Sequence, residues 1–182
     1  MDVSEFTFAG LSACASLLDL NKGRQIHAHV ILNGYGLNVF VENALVDMYA
    51  KCGSIDSAAK LFFGMPERDG VSWNAMITAY AQSGNGEKAL KFFQQMHREG
   101  MKPTDFTFAS VLRACASLQS LRQGTLIHSQ IIKTRFDSNV FVGNALVDMY
   151  AKCGDLKEAR SIFERRPSRN VISWTTMIAG YA

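Results

Sequence analysis

Residues 39–53 are VFVENALVDMYAKCG, and residues 140–154 are VFVGNALVDMYAKCG. Fourteen of these fifteen positions are identical, at an offset of 101 residues. Two more pairs of strings recur at nearly the same offset: VSWNAMITAYA from Val71 with VISWTTMIAGYA from Val171, and EFTFAG from Glu5 with DFTFAS from Asp105. Self-similarity at a fixed period is typical of repeat proteins, so we expect a chain built from stacked units.

The long period divides into shorter motifs. Asn43, Asn74 and Asn144 each open a similar string that ends in Tyr-Ala. Superposing these asparagines gives motifs of 31, 35, 35 and 31 residues, which run 39–69, 70–104, 105–139 and 140–170. A fixed rotation of unequal motifs is therefore the main organising feature of the sequence.

Each motif has the pattern of two helices. The first helix of motif 39–69 has a single apolar stripe with the spacing i, i+3, i+4, i+7, formed by Val41, Ala44, Leu45, Met48, Tyr49 and Cys52. Gly53 then suits a left-handed helix end. A second apolar face, Ile55, Ala58, Ala59 and Phe62, ends before Pro66, which cannot continue a helix. The triplets Val39–Val41 and Phe6–Phe8 resemble strands, but their alternation is too short to favour that alternative.

Two helices of this length cannot bury an apolar stripe alone, so neighbouring motifs must stack. The predicted fold class is therefore all-α, an alpha-alpha superhelix or solenoid of antiparallel helix pairs with a concave groove. The chain begins and stops within the pattern, and we expect it to be part of a longer array.

Composition excludes several classes of protein. Of 182 residues, 48% are hydrophobic and 19% charged, which excludes a disordered tail, and a net charge of +3 excludes a histone-like basic protein. No stretch has the roughly 18 consecutive apolar residues that a membrane span needs, so we expect a soluble chain with no membrane partner. The first eight residues carry two acids and no base, unlike a signal or transit peptide.

The four cysteines are copies of two positions. Cys14 and Cys115 lie in matching ACASL strings, and Cys52 and Cys153 lie in matching YAKCG strings. We therefore expect a reduced chain in which small cysteines fill repeated packing positions.

No catalytic or metal-binding pattern is present in the sequence. It lacks G-x-S-x-G, a phosphate loop, and an H-x-E followed by C-x-x-C. His27 and His29 diverge by about 200° on a helix, and His27 recurs as His128, which favours a packing role over a ligand role. We predict no enzyme activity, no metal and no cofactor.

Sequence physics alone predicts an interaction surface, since a solenoid groove can hold a peptide, a protein or a nucleic acid. The repeated Asn43, Asn74 and Asn144 favour RNA, because an amide can both donate and accept along a base edge. The competing interpretation is that these asparagines cap their helices. A protein-binding scaffold like a tetratricopeptide array is the alternative function, but such arrays keep a uniform length of about 34 residues.

Three strings, NALVDMYAKCG, SWNAMITAYAQSGNGEKALKFFQQMHREGMKPTDFTFASVL and GRQIHAHVI, resemble pentatricopeptide repeats over nearly the whole chain. The order of a 35-residue P motif, an L motif and a 31-residue S motif resembles the PLS subfamily, which binds single-stranded organellar RNA and mostly directs cytidine-to-uridine editing in plants. The implied division is the end of a preceding motif (1–4), L (5–38), S (39–69), P (70–104), L (105–139), S (140–170) and the start of another P motif (171–182).

The resemblance also implies which residues contact RNA. In this family the fifth and last residues of a motif read the base together. The resemblance implies that Asn43 with Asp69 reads uridine and that Asn74 with Thr104 has a loose pyrimidine preference. It implies that Asn144 with Asn170 reads pyrimidines, cytidine above all, and that Thr175 is a reader whose partner lies beyond the sequence. The L motifs offer Ala9 with Asn38 and Ala109 with Asn139, to which we assign no base.

Residues at the second position of a motif sandwich the base in the family; these are Phe40, Val71, Phe141 and Ile172, each of which is equally compatible with interhelix packing. Lys51 and Lys152 stand where relatives contact phosphate, although Asp47 and Asp148, four residues earlier, offer each lysine an ion pair instead. Residues 1–101 carry a net charge of −2 and residues 102–182 a net charge of +5, so RNA should be drawn more to the second half.

The function that the resemblance implies is sequence-specific binding of single-stranded RNA, about one base per motif, as the specificity module of an organellar editing or RNA-processing factor. The L motifs imply a further partner, the small organellar RNA editing factor proteins. The expected location is the mitochondrion or chloroplast.

Overall fold

The computed structural model describes residues 3–34, 38–165 and 171–181. Every regular element in these ranges is an α-helix, and they contain no strand, so the predicted all-α class is confirmed. The helices are α1 (Val3–Leu17), α2 (Leu20–Leu32), α3 (Val39–Lys51), α4 (Ile55–Gly64), α5 (Gly70–Gln82), α6 (Gly86–Arg98), α7 (Asp105–Ser117), α8 (Leu121–Lys133), α9 (Val140–Lys152), α10 (Leu156–Arg165) and α11 (Val171–Tyr181).

Odd-numbered helices are the first helices of the predicted motifs, and even-numbered helices are the second. α3, α5, α7, α9 and α11 begin at the first residue of a predicted motif, whereas α1 begins at Val3, two residues before Glu5. Both strand-like triplets lie within helices α1 and α3. Apolar periodicity over a whole turn therefore prevailed over the local β-propensity of valine and phenylalanine.

The chain divides into two compact units, residues 1–79 and residues 80–182. In the first unit, α1 packs against α2 and α3, and α3 packs against α4. In the second unit, α7 packs against α9 and α9 against α11, while the second helices α6, α8 and α10 each contact the first helix that follows them. First helices of successive motifs thus lie side by side within each unit.

The buried stripe of α3 agrees with the pattern in the sequence. Val41, Leu45 and Met48 are almost completely buried, and burial of side chains of this size contributes about 1.5–3 kcal/mol each. Gly53 follows α3 with a φ of +78°, a conformation that other residues rarely adopt. In α4, Phe62 is fully buried, and the helix ends at Gly64, two residues before the proline.

A histidine–tyrosine contact recurs between the second helix of one motif and the first helix of the next. His27 Nδ1 lies 3.0 Å from the Tyr49 hydroxyl, and His128 Nδ1 lies 2.9 Å from the Tyr150 hydroxyl. Burial lowers the pKa of both histidines, and it raises the pKa of Tyr150 to about 12. These histidines therefore serve interhelix packing.

The cysteines are free, and each unit contains one buried and one half-buried thiol. In each unit the cysteine of the YAKCG string lies close to the backbone of the cysteine of the ACASL string. Cys52 Sγ lies 3.8 Å from the carbonyl oxygen of Cys14, and Cys153 Sγ lies 3.9 Å from the carbonyl oxygen of Cys115. Burial raises the pKa of the Cys115 thiol to about 12, which disfavours the reactive thiolate.

Within residues 3–34, 38–165 and 171–181, no helix combines the length and apolar character needed to cross a membrane. The same ranges contain no group of three or more His, Cys, Asp or Glu side chains placed to hold a metal ion.

Candidate nucleic-acid interface

The repeated asparagines lie one turn inside the first helices. Asn43, Asn74 and Asn144 are the fifth residues of α3, α5 and α9. Their backbone amides therefore lie beyond the first turn, where a helix needs capping. The interpretation of these asparagines as N-caps is wrong.

The caps of α3, α5, α7 and α9 come instead from the residue before the helix, which is the last residue of the preceding predicted motif. Asn38 Oδ1 accepts from the Phe40 amide at 2.9 Å, and Asn139 Oδ1 accepts from the Phe141 amide at the same distance. Thr104 caps α7 in a capping box with Thr107. A residue at this position therefore has a structural role whatever it does toward RNA.

Asn43 and Asp69 are brought together by the fold, although they are 26 residues apart in the sequence. Asn43 Nδ2 donates to Asp69 Oδ1 and Oδ2, each at 3.1 Å. Asp69 Oδ1 also accepts from the backbone amides of Val71 and Ser72, at 3.0 and 2.9 Å, at the start of α5. One carboxylate thus caps α5 and orients the Asn43 amide.

The orientation of the Asn43 amide follows from chemistry. An ionised carboxylate only accepts hydrogen bonds, so the NH₂ group of Asn43 must face Asp69 and the carbonyl Oδ1 must point elsewhere. Oδ1 is buried without a hydrogen-bond partner in the described chain, and Asn43 is only 8% exposed. A buried polar atom of this kind costs about 1–3 kcal/mol, which a suitable donor would relieve.

The other predicted readers have more varied surroundings. Asn74 and Asn144 are half-buried, and Thr175 is exposed, with its hydroxyl donating to the Val171 carbonyl at 3.0 Å. Thr104 is half-buried at the start of α7. Asn170 lies outside the described residues.

Motif 105–139 has Ala109 and Asn139 at the positions that correspond to Asn43 and Asp69. Ala109 has no polar side-chain atom, and Asn139 uses its Oδ1 to cap α9 while its Nδ2 donates to Asp105 Oδ2 at 3.2 Å. The sequence did not predict the Asp105 contact. It could not have done so, because the two residues are 34 positions apart.

The second-position residues lie on the surface. Phe40, Val71 and Phe141 are 70%, 61% and 50% exposed, so none of them is a core residue. The side chain of Ile172 lies outside the described residues. Sequence reasoning passed over Phe106, which is 64% exposed at the same position of motif 105–139 and whose ring centroid lies 5.6 Å from that of Phe141.

Both lysines predicted near phosphate form the alternative ion pairs. Lys51 Nζ lies 2.7 Å from Asp47 Oδ2, and Lys152 Nζ lies 2.9 Å from Asp148 Oδ2. Both lysine side chains are more than half exposed, so each pair contributes only about 0.2–0.5 kcal/mol.

Comparison with known proteins identifies the repeat. Residues 68–117 match the PPR repeat family, and residues 43–69 and 144–165 match the PPR repeat, which together cover more than half of the chain. A mitochondrial pentatricopeptide repeat-containing protein of Arabidopsis thaliana is 45% identical over 171 residues, covering 94% of this chain and 17% of that protein. The chloroplastic pentatricopeptide repeat-containing protein CRR2 of Arabidopsis thaliana is 46% identical over 164 residues, covering 89% of this chain and 25% of its own length.

Solved structures show the same fold. The crystal structure of the pentatricopeptide repeat protein PPR10 in complex with an 18-nt psaJ RNA element superposes with a TM-score of 0.75 at 21% identity, covering 94% of this chain and 26% of PPR10. The structure of PPR10 from maize gives a TM-score of 0.68 at 23% identity, covering 98% of this chain and 27% of PPR10. This chain thus spans less than a third of these proteins. From its repeated motifs, its helix pairs and these similarities, we conclude that the chain belongs to the pentatricopeptide repeat family.

Proposed function

We propose that this chain binds single-stranded RNA in a sequence-specific way, with about one base per motif. The observation that carries the proposal is the contact between Asn43 and Asp69, which joins the two residues that the family resemblance pairs as readers. The complex of PPR10 with RNA supports it by similarity of fold.

The proposed array is of the PLS type. Its motifs are the end of an earlier motif (1–4), L (5–38), S (39–69), P (70–104), L (105–139), S (140–170) and the start of another P motif (171–182). We place it in a mitochondrion or chloroplast, as the names of its relatives indicate for them. There it supplies base specificity to a factor for cytidine-to-uridine editing or RNA processing, and contributes no catalytic group itself.

Recognition of uridine at motif 39–69 follows from the hydrogen-bonding groups present. Uracil offers an imino N–H donor between two carbonyl acceptors, whereas Asn43 Oδ1 and the Asp69 carboxylate are both acceptors. Because Oδ1 is buried, the Asn43 side chain must turn when the base docks. The imino proton then satisfies an oxygen that is otherwise buried without a partner.

The exposed second-position residues support the same function. A base has an apolar face, and stacking it on an aromatic ring contributes about 1–3 kcal/mol irrespective of sequence. Phe40 and Phe141 offer such rings, and Val71 and Ile172 complete the proposed base-sandwiching set.

The remaining proposed readers are Asn74 with Thr104, Asn144 with Asn170, and Thr175. Lys51 and Lys152 reach phosphate by exchanging their weak exposed ion pairs for a phosphate oxygen.

A protein partner is proposed for the L motifs. Ile31 on α2 and Ile132 on α8 are 63% and 54% exposed at matching positions of the two L motifs. Exposed apolar side chains repeated on the second helix of both motifs suit contact with a second protein, and we propose an organellar RNA editing factor in that role.

The experiment that tests RNA reading is selection from a random RNA pool by the 182-residue chain, followed by sequencing of the bound RNA. The double substitution Asn43→Thr and Asp69→Asn installs the pair that relatives use for adenosine and keeps a capping side chain at the start of α5. Uridine enrichment at one position should move to adenosine, by about a few-fold to tenfold, with all other positions unchanged.

Asp69→Asn alone is the companion variant: it keeps the cap and the neighbouring surface but creates the Asn–Asn pair proposed for motif 140–170, so its preference should move toward cytidine and not adenosine. If the double variant loses affinity for every RNA equally, or if no position changes its preference, then Asn43 and Asp69 do not read a base. Absence of RNA binding by the unsubstituted chain, with capture of a folded protein partner, would favour the scaffold function instead.

A further inference from the structure

Arg113 is an exposed cation on the same helix face as an exposed aromatic ring of the proposed RNA-binding surface. It follows Phe106 on α7 by seven residues. Seven residues of an α-helix fall only about 20° short of two full turns, so the two side chains lie almost in line, about 10.5 Å apart along the axis. Both side chains are exposed, and Ala109 lies between them on this face.

The charge of Arg113 is not neutralised by a neighbour. It forms no ion pair within the part of the chain that the structure describes, in contrast to Lys51 and Lys152, which are held by Asp47 and Asp148. The aspartates and Arg113 occupy equivalent positions, each seven residues after the second-position aromatic residue. The S motifs thus place an acid, paired with a lysine, where this L motif places a lone arginine.

The surroundings of Arg113 suit a nucleotide that is held without being read. The rings of Phe106 and Phe141 lie 5.6 Å apart and are both at least half exposed, which offers a stacking surface to any base. Ala109 has no group to read a base edge, and the amide of Asn139 is engaged by the cap and by Asp105.

We propose that Arg113 binds a phosphate of the RNA backbone, which makes motif 105–139 an anchor that grips RNA without regard to sequence. This inference rests on the proposed function and adds to it a contact in a motif that has no base reader. A guanidinium is well matched to the geometry of a phosphate, and a contact to phosphate carries no sequence information. The other L motif has Ser12 at the corresponding position of its matching LSACASL string, so the anchor belongs to the more basic half of the chain.

The test is the affinity of the 182-residue chain for a single-stranded RNA selected by the unsubstituted protein, measured over a range of salt concentrations. Arg113→Gln should weaken binding by about three- to tenfold near 0.1 M salt and lower the slope of log K against log salt by about 0.7. It should leave the ranking of RNAs that differ by one base unchanged. Arg113→Lys should recover most of the lost affinity.

Arg122→Gln is the matched control. Arg122 is also exposed and lacks an ion pair among the described residues, so its replacement changes the net charge by the same amount. It differs from Arg113 in lying on the second helix α8. Equal losses in the Arg113 and Arg122 variants, or no loss in the Arg113 variant, would overturn the anchor while leaving RNA binding itself intact. Failure of the unsubstituted chain to bind RNA would overturn both proposals, and circular dichroism of each variant verifies that it is folded.

Discussion

Gly124 on α8 lies directly against the side chain of Met149 on α9. A Cβ atom at this position would lie 2.7 Å from Met149 Cε and closer still to the sulfur, and Gly23 has the same relation to Met48 in the first unit. Both methionines are fully buried, so their side chains have little room to move away.

We therefore expect Gly124→Ala to destabilise the chain by about 1–3 kcal/mol, the usual cost of overpacking. Urea denaturation at 25 °C measures it. Gly64→Ala is the control, because a Cβ there meets nothing within 4 Å. Equal urea midpoints for the two variants would show that the Met149 side chain moves away from the added Cβ at little cost in stability.

The repeated histidines should make stability depend on pH. Burial lowers the pKa of His27 and His128 below the ordinary value of 6.5. For His128, Glu158 and Asp137 act in the opposite direction but do not outweigh burial. As the pH falls, the two histidines are therefore protonated in the unfolded chain before they are protonated in the folded chain. Their contribution to the free energy of unfolding is complete above pH 6.5 and is lost as the pH falls toward the lowered folded-state pKa.

The measurement is the urea midpoint at pH 7.5 and at pH 5.5. The midpoint should be lower at pH 5.5, and replacing both His27 and His128 by Asn should reduce the difference. Exposed His29→Asn serves as the control and should leave it unchanged. A midpoint that does not change with pH in the unsubstituted chain contradicts the expectation.

At the level of the helix, Asp69 combines a cap with a proposed base contact, and substitutions can separate the two. Asp69→Ala removes the acceptor for the amides of Val71 and Ser72 and should cost about 0.5–2 kcal/mol. Asp69→Asn retains an acceptor oxygen and should change stability by less than about 0.5 kcal/mol. Thermal and urea denaturation of both variants test this. Equal destabilisation would mean that the negative charge at the start of α5, rather than the cap, is what matters.

Helices were the part of this protein most open to prediction, for a local reason. The α3 stripe, the turn at Gly53 and the end of α4 before Pro66 each depend on residues within one or two turns, and the structure agrees with all three. The placement of the cap failed, because Asn43 has a side chain that favours capping but lies a turn inside α3. Residue preference alone cannot locate a helix start to within one turn.

For the whole chain, stability should vary along the sequence, because motifs are stabilised mainly by their neighbours. In the second unit, α9 packs against both α7 and α11 and buries Val142, Leu146 and Val147. On α11, Trp174 and Ile178 remain 51% and 66% exposed.

Amide hydrogen exchange should therefore be slowest in α9 and much faster in α11, since sparsely packed helices open locally at lower free energy. Mass spectrometry of peptides from the labelled chain measures both helices in one experiment. Equal protection of α9 and α11 would show that the chain unfolds as one cooperative body instead.

The sequence by itself determined that the chain is a helical repeat and which family it resembles, because repetition and periodicity are visible in one dimension. Only the tertiary structure decided which side chains meet. The contacts of His27 with Tyr49, Asn43 with Asp69 and Asn139 with Asp105 join residues 22, 26 and 34 positions apart. Such contacts depend on how closely neighbouring helices pack, which small residues such as Gly23 and Gly124 permit. A pattern with a period of 3.6 residues contains no information about that distance.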